Sequence, residues 1–592
     1  MIRKLGTAVA LVALLSGAAV AQTAKDAKAV VADTTKAMGY DKLNTIQYSG
    51  SAFEGTAFNQ LQSVAAGWPK FTEKNYVRFI DFAAGTSTRT ALQSRPVDPK
   101  TGILPGGGGL DPGAEAPIPP QNQNIAANAN WTAKLEITLS APGFLRMAAA
   151  ASNATVTTES SGGKKYTVVS FPVDAKAPTG VAYKLSGFID DKNMLAKVQT
   201  WLEEPSMIGD YLVEESFLDY KDYGGVKFPS TITQTRAGLS WNVINITDVK
   251  PNAIAPPPLP AAAPGGGGGG RGGGAAGAPA AGGAPGGGAP GGGAGGGGGR
   301  GGAGAAGGAP GGGAPGGGAP GGGAGGGRGA AAAGAPAAGG GQAAAGGRGA
   351  AAATTSRKLG EGIYMITSGY RSIAVEFKDH VVLIEANAAG FDGTVAETKK
   401  LFPNKPITFL ISTHNHQDHS GSIRTAVAEG MTIVAQQMNK ALYPVWFNNP
   451  RELSGPDKLA QMQADAKAKG DKAALKKLTP KFQWVGEKLV MKDATQSIEL
   501  YAIHGSVHGE DMLVAYMPKI KTIFESDAYN VGAPGAVTTG VGQLAFQKLL
   551  ASELDRLKVD YNFIVPGHAP TGGDRDVTKA DLMKAIGTAA GN

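Results

Sequence analysis

The chain has 592 residues, 91 of them glycine and none cysteine, with a net charge of +8. That length exceeds what one hydrophobic core serves, so two or more domains are expected, and the missing cysteines exclude disulfides, thiolate ligands and a lipid-bearing cysteine. The basic residues are scattered and often sit beside acids, as in 465–477, which supports solubility and predicts no nucleic-acid partner.

Taken in chain order, Arg3 and Lys4 precede an apolar run over 5–15, and Ala19-Val20-Ala21 closes it with small residues. This pattern predicts a signal peptide over 1–21 and a periplasmic or secreted protein. The run is too short to span a bilayer, and no other stretch is long and apolar enough, so no transmembrane segment is expected.

Residues 22–253 open with a predicted helix over 24–38 and then turn to strands over 166–171, 182–189, 195–201, 226–228, 230–235 and 241–249. Asp190 and Asn193 supply a hairpin turn between two of them. An antiparallel sheet with one apolar face follows, with Trp201, Phe217, Tyr220 and Trp241 read as core aromatics and 104–130 as a long loop rich in Gly, Pro and Asn. With the stretch Asp219-Tyr220-Lys221-Asp222-Tyr223-Gly224-Gly225-Val226-Lys227-Phe228-Pro229, this order of elements resembles the curved half-barrels of periplasmic lipoprotein carriers. The resemblance implies an antiparallel β half-barrel with an apolar groove, and so an apolar ligand as a partner.

Most of the glycine falls within 254–356, in irregular Gly, Ala and Pro units with sparse arginines and no acid until the block ends. Such a segment cannot bury enough apolar surface to offset its chain entropy and is predicted to be a disordered linker. A flexible coil of roughly 98 residues spans about 55 Å root-mean-square, which predicts that the flanking domains move almost independently.

The remaining 357–592 has the texture of a compact α/β domain. Strands are expected over 372–377 and 381–385, a helix near 393–402 and a strand over 407–411 that runs straight into His414-Asn415-His416-Gln417-Asp418-His419. Three of the chain's seven histidines lie in those six residues. His414 and His416, two apart on a loop, can face one ion; Asp418 and His419 suit a second beside it. Three further apolar runs end near potential ligands: 498–503 before His504 and His508, 522–526 before Asp527, and 561–565 before His568. Between them, 440–481 holds Tyr443, Trp446 and Phe447 and a charged helix over 457–478. Trp446 and Phe447 either line a substrate mouth or pack that helix onto the domain.

The motif Thr413-His414-Asn415-His416-Gln417-Asp418-His419-Ser420-Gly421, with His508, Asp527 and His568, resembles the metallo-β-lactamase superfamily over about 235 residues. The resemblance implies an αββα sandwich and an α+β chain overall. It further implies that His414, His416 and His508 hold a first metal, that Asp418, His419 and His568 hold a second, and that Asp527 bridges them. His508 matches the family's ligand position, which leaves His504 beside the site. Two zinc ions are the expected cofactor, activating a shared hydroxide against an ester, lactone, thioester or amide as small-molecule substrate, with Asp418 orienting the attacking water and handling its proton. The second strand ends in Glu385 where many relatives carry Asp, so support behind the ligands differs here. Relatives with much the same motif hold one iron, which makes a dioxygenase acting on sulfur compounds the alternative enzyme. A carrier of apolar ligands working through the N-terminal domain is the third reading.

Overall fold

The computed structural model describes residues 24–94, 115–117, 124–255, 353–506 and 508–587. The signal peptide expected over 1–21, nearly all of the expected linker and most of the expected loop at 104–130 lie outside these residues.

The N-terminal segment builds one antiparallel sheet of twelve strands. Its middle joins the first strand, Thr45–Gly55, to the last, Leu239–Pro251. From there the sheet runs one way through Lys70–Asp81 to Thr86–Ser94, and the other way by successive hairpins back to Thr155–Ser161. Two short pieces of the expected loop, Glu115–Pro117 and Asn124–Ile125, pair with Thr86–Ser94 at one edge. Helix Ala24–Met38 places Ala27, Val31, Thr34 and Met38 on one buried stripe at three- and four-residue spacing. Helix Ala141–Ala150 packs beside it, and Phe144 lies so near Gly187 that a β-carbon there would sit 2.2 Å from its ring.

Two expectations change here. Pro229 does not divide its strand: Val226–Arg236 is continuous, and the Ser230 hydroxyl donates to the Asp219 carbonyl beside the missing amide donor. Trp201 is 43% exposed and is no core residue, whereas Phe217 and Trp241 are buried. A cavity in this sheet is lined by charged and polar groups, among them Tyr48, Tyr76, Arg78, Glu136 and Glu215, together with the apolar Ala52, Ile232 and Ile244.

The C-terminal segment forms two further sheets, of seven and six strands. The first begins antiparallel and becomes parallel at Val381–Ile384, Ile407–Ile411, Thr432–Gln436 and Phe482–Val485. Ile373, Val382, Ile384 and Ile411 from one sheet share a core with Leu500, Leu513, Phe524 and Val565 from the other. Helices Phe391–Leu401 and Ile423–Ala428 contribute Phe391, Val395, Ile423 and Ala426 to the apolar cluster that also holds Leu383, Leu410 and Ile433. Helices Val541–Arg556 and Lys579–Ala585 supply Leu550, Leu554 and Leu582 beside Val514, Ile523 and Ile564. The single helix expected over 457–478 is two, Lys458–Ala468 and Lys472–Lys477, capped by Asp457 and Asp471 and separated at Gly470, whose φ is +66°.

The N- and C-terminal segments belong to one compact unit, which overturns the expectation of independent motion. The carboxylate of Asp210, almost fully buried, accepts from the amides of Leu453 and Ser454 at 2.8 Å each. Asp210 also donates its own amide to the Pro450 carbonyl at 2.8 Å, and Asn449 donates to the Ile208 carbonyl. Arg451 reaches the carbonyls of Pro205 and Ser206 at 2.9 and 2.8 Å. A buried polar group persists only where such partners replace water, so linker composition does not govern how these segments associate.

Candidate metal centre

Strand Ile407–Ile411 ends beneath the histidine motif, and neighbouring backbone fixes the turn that follows. Ser412 donates to the Val434 carbonyl at 2.9 Å, Leu513 donates to the Thr413 carbonyl at 2.8 Å, and Ala386 donates to the His419 carbonyl at 2.9 Å. The loop is therefore held from both C-terminal sheets, and its side chains project at the strand ends, where a rigid scaffold can converge them.

Seven residues come together as two groups that share one carboxylate. His414, His416, His508 and Asp527 form one, and Asp418, His419, Asp527 and His568 the other; within each, the ligand atoms lie within 4.8 Å of one another. Asp527 Oδ2 is 2.8 Å from His508 Nε2, 3.0 Å from His419 Nε2 and 3.2 Å from His414 Nε2. Its Oδ1 is 2.7 Å from His568 Nε2. His419 Nε2 and His568 Nε2 are 3.2 Å apart, and Asp418 Oδ2 lies 3.4 and 3.5 Å from them.

The donor chemistry fits metal ions. His416 is 2% exposed, yet neither of its ring nitrogens has a hydrogen-bond partner, and Nε2 of the fully buried His414 has none either. Buried polar atoms without partners are rare and call for an explanation. Burial, reinforced by His508 and His414, pushes His416 well below the usual histidine range, so its ring is neutral, the form that ligates. Burial works against the Asp527 carboxylate, but the imidazoles of His419 and His508 outweigh it and hold the group well below the carboxylate range. The nitrogen and oxygen donors, without sulfur, suit zinc or iron.

Behind these candidate ligands stands a layer that orients them. Glu385 is fully buried with φ +78°, an uncommon conformation for a side chain of its size. One carboxylate oxygen is 2.7 Å from His419 Nδ1, and the other accepts from the Thr413 hydroxyl at 2.5 Å. Ser526 Oγ lies 3.2 Å from His414 Nδ1, which leaves Nε2 aimed inward. At Gly567 a β-carbon would stand 3.2 Å from the His419 ring, so a side chain there would crowd the strand end against the site.

Of the competing histidines, His504 lies outside the centre, exposed and 2.6 Å from Glu487. His380 is stacked on Phe377, also away from it. The substrate-mouth expectation fails for Trp446 and Phe447: they are 2% and 8% exposed and belong to the core with Tyr443. Sequence reasoning missed Tyr370, whose ring meets those of His568 and His419 at 4.9 and 5.9 Å and which is partly exposed at the centre. Its one local signal is Gly369, at φ +80°, which turns the chain into the strand that carries it.

No family model matches the chain, and no curated protein matches it. Among solved structures, the chain is similar to the DIM-1 metallo-β-lactamase exposed to ceftazidime, at 15% identity over 40% of this chain and 96% of that one, with a TM-score of 0.28. It is similar to a metallo-β-lactamase from Pontibacter korlensis at 16% identity over 39% of this chain and 97% of that one, TM-score 0.27. A third similarity is to a metallo-β-lactamase from Erythrobacter litoralis bearing β-mercaptoethanol in its active site, at 16% identity over 40% and 95%, TM-score 0.27.

Proposed function

We propose that the chain is an exported, zinc-dependent hydrolase that cleaves an ester, lactone, thioester or amide at a binuclear centre, within an αββα sandwich of metallo-β-lactamase type. The observation that carries this reading is Asp527, one carboxylate within 3.2 Å of four imidazoles, beside buried histidine nitrogens that have no other partner. His414, His416 and His508 would hold one ion and Asp418, His419 and His568 the other, with Asp527 between them. Two divalent ions would supply Lewis acidity toward a carbonyl oxygen and toward water.

The chain's own residues divide the remaining work. Asp418 has a side chain 27% exposed where that of Asp527 is 7%, so it faces the open edge and is positioned to orient water and accept its proton. Glu385 holds the His419 ring through Nδ1, which fixes the nitrogen presented inward. Tyr370 stands beside His568 with a phenol whose ionisation is suppressed by burial first and by Asp418 next, so it serves as a hydrogen-bond donor toward substrate.

Elemental analysis of the mature protein, purified without chelators, tests the reading. About two zinc per chain, with turnover of a lactone, thioester or β-lactam panel, is expected. About one iron would replace it with oxygen chemistry on sulfur compounds, and no stoichiometric metal would sink it. Export is tested separately, by a mature N-terminus at Gln22 in the periplasmic or culture fraction.

A further inference from the structure

The loop over 56–69 belongs to the N-terminal sheet, yet it ends at the metal centre. Three of its backbone carbonyls receive hydrogen bonds from the two loops that carry the ligands. The Asn59 carbonyl accepts from the Gln417 amide at 3.1 Å, the Leu61 carbonyl from Asn415 Nδ2 at 3.2 Å, and the Gln62 carbonyl from the Glu510 amide at 2.9 Å. Gln417 opens the four-residue helix Gln417–Ser420, which bears Asp418 and His419. Its amide is one of the donors a helix start leaves without an internal partner, and here the partner comes from the other segment. Asn415 lies between His414 and His416, and Glu510 follows His508 by two residues.

The loop is built to hold those carbonyls in place. Trp68 is fully buried at its far end and donates Nε1 to the Arg236 carbonyl at 2.9 Å. Phe58 packs on Trp68 and Tyr211, with ring centroids 4.5 and 4.3 Å away. Asn59 has φ +70°, a left-handed conformation that Asn tolerates and β-branched residues do not. Its side-chain oxygen has no hydrogen-bond partner, so the position matters through its backbone.

We infer that the loop over 56–69 is a positioning clamp for the metal centre: carbonyls 59, 61 and 62 set the attitude of both ligand loops, so the N-terminal segment supports the centre without entering it. The consequence for metal rests on the hydrolase reading; the clamp itself does not. It predicts a contrast between two substitutions in the full chain. Asn59→Gly keeps φ positive and leaves the clamp intact, whereas Asn59→Val moves the carbonyl.

Hydrogen exchange, read by mass spectrometry on peptides covering Gln417 and Glu510, should accelerate in Asn59→Val and stay at the native rate in Asn59→Gly. Zinc retained against a chelator should fall about tenfold in the first and be unchanged in the second, the scale expected when support behind ligands is lost. As a second route, a protease site inserted between Val64 and Ala65, both exposed, allows the folded chain to be nicked and compared before and after the cut. Cleavage should produce the same acceleration at Gln417 and Glu510. Native exchange at both amides in folded Asn59→Val, or in the nicked chain should Asn59→Val not fold, would overturn the clamp. A wild-type chain that binds no zinc would instead remove the hydrolase reading while the exchange result still decides the clamp.

Discussion

Asp418 and Asp527 lie in one cluster but take different positions within it. Asp527 is enclosed by imidazoles, while Asp418 is on the first turn of a short helix at the open edge. Asp418→Ala is therefore expected to lower kcat by about 10²–10⁴-fold, the range for losing a proton-handling group, with little change in thermal midpoint. Full activity in that variant would remove Asp418 from the chemistry. Glu385→Gln leaves only one oxygen to serve both His419 Nδ1 and the Thr413 hydroxyl. Zinc affinity should drop about 10–100-fold with the fold retained, which competition with a chelating dye would measure. In the N-terminal sheet, burial raises the Glu215 carboxyl from 4.5 to about 7 despite its hydrogen bond from Gln234. A folded pKa above the unfolded one means that the native state holds the proton more tightly. Stability is then full below about 4.5 and is lost as pH rises toward 7. At about 1.4 kcal/mol per unit this amounts to about 3 kcal/mol at most. Glu215→Gln should gain on the wild type at pH 8 relative to pH 5 in urea unfolding, and parallel pH curves for the two proteins would contradict the assignment.

At the scale of elements, the helix Tyr443–Phe447 separates what sequence can and cannot tell. Trp446 and Phe447 follow the metal motif closely in the chain, and a mouth or a core would use the same residues. Burial at 2% decides for the core. Trp446→Ala should cost about 3–5 kcal/mol of stability, as large core truncations do, and leave KM for any substrate unchanged; a raised KM in a fully folded variant would restore the mouth. The histidine motif was legible because its spacing is local and the apolar run before it ends in a strand. Asp527, His508 and His568 were legible because each follows another such run, and a sheet brings strand ends together. Strands Thr86–Ser94 and Gly209–Tyr223 were not legible, since the first carries almost no apolar residue besides Ala91 and Leu92, and the second ends in charged residues. Glu385 was visible as a departure at a strand end, but its grip on His419 depends on a positive φ that no spacing encodes.

At the scale of the whole molecule, a long glycine-rich block suggested two bodies on a tether, because composition speaks for the block and not for the surfaces it connects. The docking patch shows what that reasoning lacked. Asp210, Asn449 and Arg451 are ordinary polar residues in sequence, and only their pairing across 241 to 246 positions makes them an interface. Asp210 is the member with most at stake, since its carboxylate serves two amides while its own amide serves Pro450. Asp210→Ala leaves the amides of Leu453 and Ser454 without an acceptor, a loss of about 1–3 kcal/mol for each group left buried and unpaired. Docked segments should unfold together, so calorimetry of the wild-type chain should give one cooperative transition with calorimetric and van't Hoff enthalpies in agreement. In Asp210→Ala the sheets lose part of that coupling, and the transition should broaden or divide as the less stable segment unfolds first. Two resolved transitions already in the wild type, unmoved by Asp210→Ala, would mean that the segments fold as separate bodies and that the patch contributes nothing to their cohesion.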